Sequence, residues 1–102
     1  MMKMLLMVEF PHEPFNSYVR DGKVGEIIRR ILESIKPDAA YFTEQDGMRS
    51  GIFLINVQDS SEIPAFAEPF FLNFEANCKF RLAMSPEDLQ KAGLDVLGKK
   101  WG

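Results

Sequence analysis

Apolar positions along the chain change period several times, and each change predicts an element. Lys3–Phe10 is an apolar run centred on Met4-Leu5-Leu6-Met7-Val8, and it halts at Pro11, which cannot serve a central ladder. This is a strand. After Pro14 the spacing becomes helical, with Phe15, Tyr18, Val19, Ile27, Ile28, Ile31, Leu32 and Ile35 three or four apart. Gly22 and Gly25 each weaken a helix by about 1 kcal/mol relative to Ala, which predicts a break near Asp21-Gly22. The second half runs from Val24 to Lys36, with Arg29, Arg30, Glu33 and Lys36 on its wet side, and Pro37 ends it.

Ala39–Glu44 and Arg49–Val57 flank Gln45-Asp46-Gly47-Met48, and Asp-Gly between two β-rich runs predicts a hairpin. Asp59-Ser60-Ser61-Glu62 then supplies helix-start chemistry before Ile63-Pro64. The helix that follows carries Phe66, Phe70, Phe71 and Phe74, with a kink or a division into two short pieces predicted at Pro69. Asn77–Met84 alternates, so Cys78, Phe80, Leu82 and Met84 are expected under the helices. Lys79, Arg81 and Ala83 then point the other way. Ser85-Pro86-Glu87-Asp88 opens a short last helix through Ala92, with Gly93 as its stop and Gly98–Gly102 as a tail.

The order is β-α-β-β-α-β plus a terminal helix, which predicts one α+β, ferredoxin-like domain over residues 1–102. Its four-stranded antiparallel sheet would carry both main helices on one face. The first and third strands are apolar at both parities, so both faces of the sheet need cover. Two helices cover one face only. A second copy, sheet against sheet, is the simplest cover for the other. The alternative is a C-terminal segment, with Leu94, Leu97 and Trp101, that folds back over the open face.

Composition narrows the function. Hydrophobic residues are 46% and charged residues 26%, in the range of a globular chain, and nine Phe imply a large core or an interface. A net charge of −3 without a basic cluster argues against nucleic acid and anionic lipid. The lone Cys78 excludes an internal disulfide, and no Cys/His spacing suggests a metal. The apolar stretch near the N-terminus is too short for a secretion signal or a membrane span, so the expected compartment is the cytoplasm.

The element order, the length and the two-sided sheet resemble the dimeric α/β-barrel superfamily. Pro14–Pro37, Asp38–Gly47, Ile63–Phe71 and Met84–Gly93 are similar to segments of small bacterial proteins of that group. The resemblance implies a homodimer whose sheets enclose a cavity for a small organic molecule. It admits cofactor-free oxygenase or isomerase chemistry but selects no activity. The competing expectation is an accessory protein whose sheet face and aromatic helix serve assembly. No cofactor is implied.

Candidate chemistry sits on the expected open face. Lys79 and Arg81 could hold an anionic or polar ligand, with Glu9 nearby and Tyr41 and Asn56 adding to the lining. A plain ion pair between Glu9 and Arg81 would explain the same residues without a ligand. His12, the only histidine, is the candidate for proton transfer, though no motif commits it to that role. Cys78, at alternating spacing, reads as a core residue rather than a nucleophile.

Overall fold

A computed structural model describes residues 1–102. The elements are β1 (Met2–Phe10), α1 (His12–Arg20), α2 (Val24–Ile35), β2 (Ala39–Gln45), β3 (Met48–Val57), α3 (Ile63–Phe74), β4 (Asn77–Ala83), α4 (Pro86–Lys91) and α5 (Leu94–Trp101). The strands form one antiparallel sheet in the order β2-β3-β1-β4, so the two most apolar strands occupy its centre.

Local chemistry explains the boundaries. Gly22, at φ 69°, turns the chain between α1 and α2, which places the break at the predicted Asp21-Gly22. Asp46 and Gly47 both take positive φ, 53° and 80°, as the tight turn of a right-twisted hairpin requires. A capping box of Asp59 with Glu62 satisfies the backbone donors ahead of α3. Pro69 does not divide α3, which runs unbroken for 12 residues. The carbonyl that Pro69 leaves unbonded is that of Ala65, an exposed residue, so water can serve it.

The core lies between the sheet and helices α1–α3. Leu6, Val8 and Phe10 of β1 alternate into it, as do Phe53, Ile55 and Val57 of β3, and they meet Ile31, Ile35, Ala67, Phe70 and Phe74. Phe10 stands edge-on to Phe15, Phe70 and Phe74, with ring centres 5.3, 6.0 and 5.0 Å away. Tyr18 closes the group edge-on to Phe74, and its hydroxyl donates to the Asn73 carbonyl at 2.8 Å. Cys78 and Phe80 pack against this core from β4, as the alternation predicts. Leu82 and Met84 do not; both are largely exposed, because the helix layer stops short of that corner of the sheet.

The C-terminal segment departs most from expectation. Residues beyond Gly93 form a second helix, α5, which takes in most of the Gly98–Gly102 stretch expected as a tail, and Gly93 (φ 66°) joins it to α4. Neither helix buries a residue or packs extensively on the body, and Trp101 is 78% exposed. The molecule is therefore elongated, 59 × 28 × 19 Å, with a radius of gyration of 17.0 Å where a compact chain of this length has about 13 Å. The open face is not covered by its own C-terminus.

Gly51 marks the tightest point of the sheet's packed side. A Cβ there would lie 2.7 Å from two ring carbons of Phe53, a side chain with no exposure. Gly51→Ala should lower unfolding stability by about 1–3 kcal/mol in urea titrations, the usual cost of overpacking. Adding Phe53→Leu should give a double variant less unstable than the sum of the two single changes.

Candidate functional site

The strand register arranges the open face in transverse rows across the sheet. At one end stands Thr43–Ser50–Glu9–Asn77, followed by Tyr41–Ile52–Met7–Lys79 and then Ala39–Leu54–Leu5–Arg81. The last row contains Asn56, Lys3 and Ala83. The first three rows cross from β2 through β3 and β1 to β4, and apolar Ile52, Met7, Leu54 and Leu5 occupy the middle of the second and third. Polar and charged groups ring them. The helices lie entirely on the other side, because these residues all share the parity opposite to the core.

A groove of about 240 Å³ opens between the first two rows. Met7 and Ile52 contribute its apolar lining, while Glu9, Thr43, Ser50, Asn77, Lys79 and Arg81 contribute polar groups. The sheet thus brings together three of the sequence-nominated ligand residues, Glu9, Lys79 and Arg81. None of them is in an ion pair; all four pairs in the molecule lie elsewhere. The register accounts for the absence of a Glu9–Arg81 pair, since Arg81 stands opposite Leu5 and Glu9 opposite Asn77. Two cations and one carboxylate give the groove a formal charge of +1 within a chain of net −3.

The other nominated residues lie apart. Tyr41 shares the face and the row of Lys79 but stands three strands away, roughly 14 Å, and is 69% exposed outside the groove. Asn56 is at the opposite end, six residues along β3 from Ser50, or roughly 20 Å. Its amide donates to Asp38 Oδ2 at 2.8 Å and accepts from Lys3 Nζ at 3.1 Å. Lys3 also bonds Asp38 at 2.9 Å, and this partner, with Asn56, holds the Asp38 carboxyl below the ordinary carboxylate range. That trio ties β1, β3 and the start of β2 together. His12 is exposed at the first position of α1 and does not line the groove. No group of three or more His, Cys, Asp or Glu side chains is placed to hold a metal.

Thr43, Gln45, Ser50 and Asn77 line the groove without having been singled out in the sequence. The signal for Thr43 and Ser50 was present in the hairpin. A tight turn at Asp46-Gly47 pairs Gln45 with Met48, and counting back two residues sets Thr43 opposite Ser50.

Cys78 takes no part in the groove. It sits on the packed side of β4, and burial alone pushes its thiol up to about 11. At neutral pH almost none is thiolate, so the nucleophilic form is absent. Alkylation by iodoacetamide at pH 8 should run about a hundredfold slower in the folded chain than in urea, by mass spectrometry. The raised value favours the neutral thiol. Its stabilising contribution is therefore complete below about pH 9 and is lost as pH climbs toward 11. Urea midpoints taken between pH 8 and 11 should fall less in Cys78→Ala than in the native sequence.

Comparison with known proteins returned no match: no family model, no curated protein and no solved structure is similar enough to place this chain beside a relative.

Proposed function

We propose that the chain is a ferredoxin-like protomer of the dimeric α/β-barrel type. In this reading two copies pair through their open sheet faces, and each binds a small organic anion in the groove between the sheets. The observation that carries the reading is the cationic groove itself: Lys79 and Arg81, unpaired, beside apolar Met7 and Ile52. Two free cations at the edge of an apolar floor suit a ligand with one carboxylate and a hydrophobic body. Glu9, Thr43, Ser50 and Asn77 add both acceptors and donors, so a hydroxyl or amino group on the ligand would also find partners.

The apolar middle of the face supports pairing. Leu5, Met7, Ile52 and Leu54 form a contiguous block across the two central strands, and no element of the same chain packs over them. Sheet-on-sheet packing buries such blocks at a spacing of about 10 Å, with ligand space left where the side chains are short or polar.

Binding rather than turnover is the reading adopted, because the one histidine is outside the groove and the one cysteine is a neutral core thiol. Oxygenase or isomerase chemistry would need its proton carrier among Glu9, Lys79 and the ligand itself. The accessory-protein reading draws on a different observation: Phe71 and Leu72 of α3 are exposed on the helix layer, beside a second groove between α2 and α3.

Native mass spectrometry of the untagged chain should give a dimer retaining a small molecule. Benzoate, as a simple probe, should perturb amide resonances of β1 and β4 around Glu9 and Lys79. Arg81→Ala and Lys79→Ala should each weaken its binding about tenfold or more, the value of a charge-assisted hydrogen bond. Lys3→Ala, at the far end of the same face, should leave it unchanged. Equal affinity in all three variants would exclude the groove as the site. Met7→Asp should convert the dimer to monomer by sedimentation.

A further inference from the structure

We propose that helices α4 and α5 form an exchanged arm: each copy lays the Leu94–Leu97–Trp101 stripe of α5 against the sheet of its partner, closing the side that two opposed sheets leave open. The inference rests on the sheet-to-sheet dimer proposed above.

Three observations lead to it. The first is that the arm cannot account for its own structure. α4 has six residues and α5 has eight, and isolated helices shorter than about 12–15 residues are marginal in water. Such helices take their stability from a packed face, yet the apolar side chains of this arm are all exposed. On α5, Leu94, Leu97 and Trp101 fall at i, i+3 and i+7, along one stripe. Asp95, Val96 and Lys99 occupy the opposite side, and Lys100 flanks the stripe with its ammonium 5.2 Å from the centre of the Trp101 ring. Gly98 lies beside the stripe, where the lack of a side chain lets another surface approach.

The second is the direction in which the arm leaves the body. β4 ends at Ala83, opposite Lys3, at a corner of the sheet. The root is held immediately afterwards. Ser85 accepts from the Asp88 amide at 3.1 Å, Asp88 accepts from the Ser85 amide at 3.1 Å, and Pro86 occupies the first turn. The cap starts α4 directly after the strand, and no residue of α4 or α5 is buried on the sheet they leave. The arm instead runs outward and gives the molecule its 59 Å length.

The third is area. The open face is four strands wide and about nine residues long, a footprint of roughly 600 Å². Stable interfaces bury about 600–1,000 Å² of accessible surface from each partner, which puts the sheet face alone near the low end. Part of the face is also the groove, which contributes little contact. A Leu-Leu-Trp stripe from the other copy is of the size needed to make up the difference. A two-fold operator delivers both stripes at once. The arm is neutral, three acidic residues (Glu87, Asp88, Asp95) against three basic (Lys91, Lys99, Lys100), so it adds no net repulsion between copies.

Trp101 is the only tryptophan and reports the arm directly. Acrylamide quenching of its emission, measured across a dilution series alongside sedimentation, tests the exchange on the full chain. Trp101 should be shielded in the dimer and become severalfold more quenchable as the dimer dissociates. Leu94→Asp with Leu97→Asp, at exposed positions outside the core, should leave the body folded. It should also expose Trp101 and raise the dimer dissociation constant about tenfold or more. Shielding that persists in the diluted monomer would mean the arm docks on its own chain, and a dimer with a freely quenched Trp101 would mean that it docks nowhere; either overturns the exchange. A dimer broken by Met7→Asp but indifferent to the arm variant would defeat the exchange and leave the sheet pairing intact. A chain monomeric at every concentration would defeat both.

Discussion

The edge-on contact of Phe10 with Phe15, Phe70 and Phe74 joins β1 to α1 and α3, and everything on the other side of the sheet follows from it. Once Phe10 faces the helices, strand pleating sends Val8, Leu6 and Met4 the same way. Glu9, Met7, Leu5 and Lys3 must then face out. The pairing of β1 with β3 and β4 extends that choice across the sheet, residue by residue. A slip of one position would carry Glu9 into the phenylalanine cluster, where an unpaired carboxylate costs several kcal/mol. Aromatic packing on one face therefore sets the chemistry of the other.

That transmission explains how far the sequence could be read. The break at Gly22, the hairpin at Asp46-Gly47 and the parity of β4 each follow from short-range rules, and each appears in the structure within a residue or two. Glu9, Lys79 and Arg81 were legible as neighbours because β4 alternates cleanly and runs beside β1. Asn56 was not distinguishable from them. Its parity is right, but its position along β3 depends on register, and its amide is occupied by Asp38 and Lys3, which are distant in sequence. The unbroken α3 and the second terminal helix were missed for a related reason. A proline is a local signal whose effect depends on what surrounds the freed carbonyl, and Gly93 does end α4 as expected but leaves open whether the chain beyond it starts a new helix.

The exposed arm and the exposed sheet are two parts of one imbalance. A chain with 46% hydrophobic residues leaves Leu5, Met7, Ile52 and Leu54 without a cover on one surface. It leaves Leu94, Leu97 and Trp101 without one on another. Within the single chain neither surface packs extensively on the other, since the arm runs outward from the end of β4. In the proposed two-fold pair both surfaces would be covered at once.

Closing two such sheets would create an electrostatic problem at the groove. Each copy brings Lys79 and Arg81 against one Glu9, a surplus of one positive charge, into a space from which water is being removed. Unneutralised, the two surpluses would raise the cost of desolvation and oppose assembly. One monoanion per groove cancels the surplus and supplies acceptors for the unpaired donors. In the proposed pair ligand binding and dimerisation would be thermodynamically linked: an anion in the groove would favour the closed pair, and the pair in turn would tighten the hold on the anion. In that pair the apolar rows would provide the drive to associate, and the charged groups beside them would make the association conditional on what is bound.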